Sequence, residues 1–110
     1  MDIKERVVDG VSVLDLAGKI VLGEDAQVKE RIRDLLADGQ KKILLNLGDV
    51  SYIDSAGLGA LISCYTTTRR EGGQLKLVNL TKRIQDLLAI TKLITVFDTY
   101  EDEAAAVASF

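Results

Sequence analysis

The segment Asp54-Ser55-Ala56-Gly57-Leu58-Gly59 holds the most suggestive chemistry in this chain of 110 residues. A carboxylate stands beside a hydroxyl, and two glycines follow where apolar residues take up helical spacing at Leu58, Leu61, Ile62 and Tyr65. A glycine inside a helix costs about 1 kcal/mol relative to alanine, so something must offset the cost at Gly57 and Gly59. The glycines could let the helix start pack tightly on a sheet, with Asp54 or Ser55 capping its free N–H groups. Alternatively, the helix N-terminus is a bare surface that another molecule approaches closely, with the Ser55 hydroxyl at its edge.

A helix N-terminus favours anions, which makes phosphate motifs the first test. A P-loop needs a lysine directly after its second glycine, and no lysine follows Gly59 before Lys76. The dinucleotide pattern Gly-x-Gly-x-x-Gly needs glycine at position 62, which is Ile62. An aspartyl-phosphate site of the receiver kind needs an acidic pair after the first buried strand, and Asp15 stands alone in its segment. A serine nucleophile needs a base to activate it; the chain has no histidine, and an adjacent carboxylate such as Asp54 is a poor substitute. Glu24, Asp25, Asp49 and Asp54 lie near loops, where carboxylates are mostly solvated, and the expectation is that they hold no metal. Cys64 falls next to the apolar helical face and reads as a small core residue rather than a reactive thiol.

Composition excludes further classes. The chain has no His, Pro or Trp and a single Cys, so it can make neither an internal disulfide nor a structural zinc site of paired cysteines. Its formal net charge is −3, with three Tyr and two Phe. A nucleic-acid binder wants a basic face and stacking aromatics, so none is expected here. No apolar run approaches the ~20 residues of a membrane span, and Met1-Asp2-Ile3-Lys4-Glu5 lacks the apolar core of a signal peptide. The expectation is a cytoplasmic protein without a cofactor. Area scaling gives roughly 6,000 Å² exposed when folded, about a third of the unfolded value, which suits one domain spanning 1–110.

The elements that must position Asp54 and Ser55 follow from periodicity. Ile3–Val8 and Val11–Ala17 are β-branched-rich runs joined by Asp9-Gly10, which predicts a hairpin, with Gly18 ending its second strand. Val28, Ile32, Leu35 and Leu36 mark one face of a helix over 24–38, stopped by Gly39. The apolar run Ile43–Leu47, bounded by Gly48-Asp49, predicts a central strand buried on both faces. After the 54–59 segment the helix closes at Arg69-Arg70 and Gly72-Gly73. Leu75–Leu80 reads as a strand, Thr81 as an N-cap, and Ile84, Leu87, Leu88 and Thr91 as a helix face. Leu93–Phe97 is expected to be the last strand and 101–109 a closing helix. A hairpin followed by strand and helix alternation points to an α/β domain with a parallel centre and an antiparallel edge.

Ser51-Tyr52-Ile53-Asp54-Ser55-Ala56-Gly57-Leu58-Gly59 resembles the signature of the bacterial anti-sigma-factor antagonists, the STAS domain family. The likeness extends to Leu16-Ala17-Gly18, Ile43–Leu47, Gly72-Gly73-Gln74-Leu75-Lys76-Leu77 and the stretch Leu87–Thr91. It implies a single STAS domain of α/β class, a mixed sheet of about five strands with about four helices. It also implies partner switching: the unmodified protein binds an anti-sigma factor that is itself a serine kinase, and so frees a sigma factor for transcription. The kinase phosphorylates the serine after the aspartate, here Ser55, and a PP2C-type phosphatase restores it. Asp54, Ser55, Ala56, Gly57, Leu58 and Gly59 are then the partner-binding residues, and the protein is a substrate and not an enzyme. The family commonly carries an aspartate three residues after the glycine matched to Gly18, near the kinase's nucleotide; this chain has Val21 there, with Glu24 and Asp25 close behind. The alternatives are a STAS interaction module of a transporter or other complex, which does not cycle through phosphate, and a small hydrolase using Ser55.

Overall fold

Asp9 and Gly10 both adopt positive φ, 50° and 79°, the backbone of a tight two-residue hairpin turn. They join β1 (Asp2–Val8) to β2 (Val11–Ile20) in antiparallel register, with Val8 opposite Val11. The computed structural model describes residues Met1–Phe110. After the hairpin come α1 (Asp25–Ala37), β3 (Lys42–Ile53), α2 (Ser55–Arg70), β4 (Gln74–Val78), α3 (Lys82–Ile90), β5 (Asp98–Tyr100) and α4 (Glu103–Ala108). The sheet order is β1-β2-β3-β4-β5, parallel from β2 onward with β1 as the antiparallel edge. The mixed sheet and four helices match the expected STAS architecture.

The two faces of the sheet bury different cores. Ile43, Leu45 and Leu47 of β3 point to an 18-residue cluster beneath α1, α2 and α3, whereas Leu44 joins Val11, Val13 and Val78 against Ala106 and Val107 of α4. This two-sided burial is why the run Ile43–Leu47 is nearly continuously apolar. The folded surface of 5825 Å² agrees with the area expected for a single domain of this size.

Three elements depart from the sequence expectation. β2 does not stop at Gly18: the glycine adopts φ 104° at an irregularity in the ladder, and the strand continues to Ile20. β3 likewise passes through Gly48-Asp49 and pairs with β2 as far as Ile20↔Ile53, so a dipeptide that looks like a turn lies within a long strand. Leu93–Phe97 is not a strand. Leu93 and Ile94 both donate backbone N–H bonds to the Leu88 carbonyl after Lys92 turns at φ 61°, and the side chains of Leu93, Ile94 and Phe97 plug the core instead of pairing. Phe97 packs edge-on against Tyr65 with ring centroids 5.3 Å apart, and β5 begins one residue later.

Candidate functional site

The parallel pairing of β2 with β3 ends at Ile20 and Ile53, so the loop leaving β2 and the start of α2 emerge side by side. Asp54 ties them together. It is the N-cap of α2, and its Oδ1 accepts from the Gly57 backbone N–H at 2.9 Å. Its Oδ2 accepts from the Leu22 backbone N–H at 3.0 Å, across to the loop after β2. Its own N–H donates to the Ile20 carbonyl at 3.3 Å. The Gly57 and Leu22 N–H groups hold the Asp54 carboxyl below the usual carboxylate range. A carboxylate so stabilised, with both oxygens engaged, is a weak proton acceptor for the neighbouring hydroxyl.

That leaves Ser55 free. It is the first residue of α2, its side chain is exposed, and the capping bonds at this helix end are made by Asp54 without it. The two glycines prove to have different tasks. A Cβ on Gly57 would sit 2.0 Å from the Ile20 carbonyl oxygen, so this position is bare because backbone meets backbone. A Cβ on Gly59 would meet nothing within 4 Å, so its bareness shapes open surface. Of the other signature residues, Ala56 is half-buried and Leu58 leans on the main core. Ser55 and Gly59 are thus the members of the 54–59 segment presented to solvent.

Apolar groups that sequence reading did not single out flank this helix end. Leu22 is 80% exposed on the loop that Asp54 fixes, and Tyr52, one residue from the end of β3, is 42% exposed. Arg83 lies over the Tyr52 ring at 5.7 Å from its centroid, and the two open an approximately 490 Å³ groove that runs along Leu87 to Ile90, itself 80% exposed. The one signal available beforehand was Leu22, an apolar residue in a short loop before Gly23; Tyr52 and Ile90 depend on tertiary placement.

The remaining candidates are accounted for by structure. Glu24 takes the Met1 amino group at 3.2 Å, and Asp25 Oδ1 accepts from the Gly23 N–H at 3.0 Å, so neither carboxylate stands free beside Val21. Nowhere do three His, Cys, Asp or Glu side chains converge as metal ligands would. Cys64 is buried in the main core, and burial pushes its thiol up to about 12. No helix is long and apolar enough to cross a membrane.

The STAS domain family matches residues 2–106. The anti-sigma-B factor antagonist of Bacillus subtilis is 34% identical over 85 residues, 77% of each chain. The crystal structure of the Thermotoga maritima protein TM1081 superposes with a TM-score of 0.90 at 26% identity, covering 97% of this chain and 92% of that one. The Bacillus protein SpoIIAA in its phosphorylated form shares the fold with a TM-score of 0.75 at 18% identity, covering 99% and 100%. A capped, glycine-bearing helix start at the end of paired parallel strands, in a chain matched nearly end to end, places this protein in the STAS domain family, among the anti-sigma factor antagonists.

Proposed function

We propose that this chain binds an anti-sigma factor that is also a serine kinase, through the α2 start at residues 54–59 with Leu22 and Tyr52 beside it. In this reading the unmodified protein occupies the anti-sigma factor and so promotes sigma-dependent transcription. The bound kinase transfers the γ-phosphoryl group of ATP to the Ser55 hydroxyl, whose proton leaves as the O–P bond forms and ADP departs. A PP2C-type phosphatase hydrolyses the ester and resets the cycle. The protein itself catalyses nothing, and it works in the cytoplasm as a single domain over residues 1–110.

The observation that carries this reading is the exposed Ser55 hydroxyl at the first position of α2, with all capping there done by Asp54. Modification therefore removes no bond that the fold uses. A phosphoserine adds about −1.5 to −2 charges at neutral pH. The positive helix end tolerates that charge, so the domain stays folded. A partner surface matched to an apolar rim and a lone Asp54 carboxylate meets instead a strongly hydrated dianion, and docking is lost to desolvation and charge conflict. The phosphorylated SpoIIAA neighbour supports the tolerance of this fold for a phosphate.

The test is to incubate the protein with ATP and the anti-sigma factor of its own host, then measure intact mass and map the modified peptide. The expected result is a gain of roughly 80 Da on Ser55, absent in Ser55→Ala, as one phosphoryl group requires. A gain mapping elsewhere, or none while the two proteins bind, would overturn the phosphorylation switch.

A further inference from the structure

α1 and α2 pack side by side on the same face of the sheet, and the groove between them, of about 420 Å³, is walled mainly by polar groups. Three of those groups are cations: Lys29 and Arg33 from α1, and Arg70 from the last turn of α2. In a chain of net charge −3, such a concentration requires an explanation. Arg6 and Arg31 lie in close ion pairs at 2.6 Å and 2.7 Å, but Arg33 and Arg70 enter no ion pair and no hydrogen bond, and Lys29 reaches Asp25 only at 3.9 Å. Ser63 and Thr67, one helical turn apart on the α2 wall, add two hydroxyls that make no internal hydrogen bond, unlike Thr68, which donates to the Cys64 carbonyl. Glu71 is the one carboxylate on the wall.

We infer that this groove is a binding site for a small phosphate-bearing polyanion, gripped by Arg33, Arg70 and Lys29 and oriented by the Ser63 and Thr67 hydroxyls. Planar guanidinium forks match phosphate oxygens two at a time, and a hydroxyl pair one turn apart adds neutral donors between them. The floor at Ile32 and Cys64 is apolar and buried, while Arg33 and Arg70 are exposed at its rim, where both guanidinium groups are open to an incoming anion. The volume lies within the range of small-molecule pockets. A long nucleic acid is disfavoured because the rest of the surface carries net negative charge. Ser63 is eight residues along α2 from Ser55, so this site is separate from the phosphorylation face and independent of that reading.

The experiment is titration of the full chain with sodium pyrophosphate and sodium triphosphate, followed by calorimetry and by backbone amide shifts at constant ionic strength. The expected result is saturable binding, tighter for triphosphate, with shifts centred on 29–33 and 63–71. Arg33→Gln and Arg70→Gln should each weaken it by about tenfold, as loss of a charge-assisted contact requires, whereas Glu71→Gln should tighten it and Arg83→Gln should leave it unchanged. Absence of saturable binding, equal binding by the Arg33→Gln/Arg70→Gln double variant, shifts centred on Ser55, or capture of single-stranded RNA in preference to both anions would overturn the assignment.

Discussion

Alanine placed at Gly57 and at Gly59, two residues apart in one helix, should change stability in opposite directions. At Gly57 the new Cβ would lie 2.0 Å from the Ile20 carbonyl oxygen and 2.9 Å from its carbon. The oxygen contact is more than an ångström short of ordinary contact, and both partners are backbone, so no side chain can rotate away. Ile20 is fully buried and its carbonyl also accepts from the Asp54 N–H, so relief requires the end of β2 to part from α2. Overpacking of this kind costs about 1–3 kcal/mol, against about 0.5–1 kcal/mol recovered from alanine's better helix propensity. With the clash at the upper end of that range, the net is a loss of about 2 kcal/mol, near a 10 °C fall in Tm for a domain of this size. At Gly59 the space is empty, so only the propensity operates, and Gly59→Ala should gain about 0.5–1 kcal/mol. Urea denaturation followed by far-ultraviolet circular dichroism at a common pH measures both. If Gly57→Ala matches the parent protein, or Gly59→Ala loses as much as Gly57→Ala, the assignment of one glycine to packing and the other to open surface is wrong.

Other outcomes follow from the same structure. The Asp54 carboxyl is held below the usual range by the Gly57 and Leu22 N–H groups, so its contribution is complete above about pH 5 and lost as pH falls through its folded value. The stability gap between the parent and Asp54→Ala, measured by urea titration, should therefore be open at pH 7 and narrow below about pH 4; a gap constant with pH would refute the capping role. Cys64, buried with its thiol raised to about 12, should react with a thiol reagent only at the rate at which the protein unfolds, and rapid labelling of native protein at pH 7 would contradict its placement. Lys76 donates to the Ser109 carbonyl and hydroxyl, both at 2.9 Å, with the Phe110 ring centroid at 4.8 Å. Lys76→Met should keep the buried stem, lose about 1–2 kcal/mol and speed amide exchange in α4, whereas unchanged exchange there would show that α4 is held by Ala106 and Val107 alone.

What the sequence revealed and concealed divides along local and tertiary lines. The Asp9-Gly10 turn, the Thr81 cap and the Asp54-Ser55 helix start are legible because each rests on a few neighbouring residues, and each stands where it was expected. Gly48-Asp49 misleads because turn residues can be carried through a strand that one neighbour still holds: β4 pairing ends at Asn46, and β2 resumes at Ala17↔Asp49 after an irregularity in the ladder. Leu93–Phe97 misleads because a short apolar run serves equally as a strand or as a plug, and only the position of Tyr65 and the short reach of β4 decide. Gly57 and Gly59 look alike in sequence because what separates them is a carbonyl 37 residues away from Gly57 in the chain, that of Ile20. The flanking Tyr52 and Ile90 were invisible for the same reason, since exposure is a property of the assembled surface, and Leu22 alone left a local sign, as an apolar residue before Gly23.

The central claim is that the exposed hydroxyl of Ser55 lies at the centre of a docking face and that charge placed there opposes docking. Titration calorimetry of the host's anti-sigma factor against the parent protein, Ser55→Ala, Ser55→Asp and the Ser55-phosphorylated form tests it directly. The account predicts that Ser55→Ala binds within about threefold of the parent, and that the aspartate variant and the phosphorylated protein, both still folded, bind at least about tenfold more weakly. Equal affinity across all four forms would contradict it.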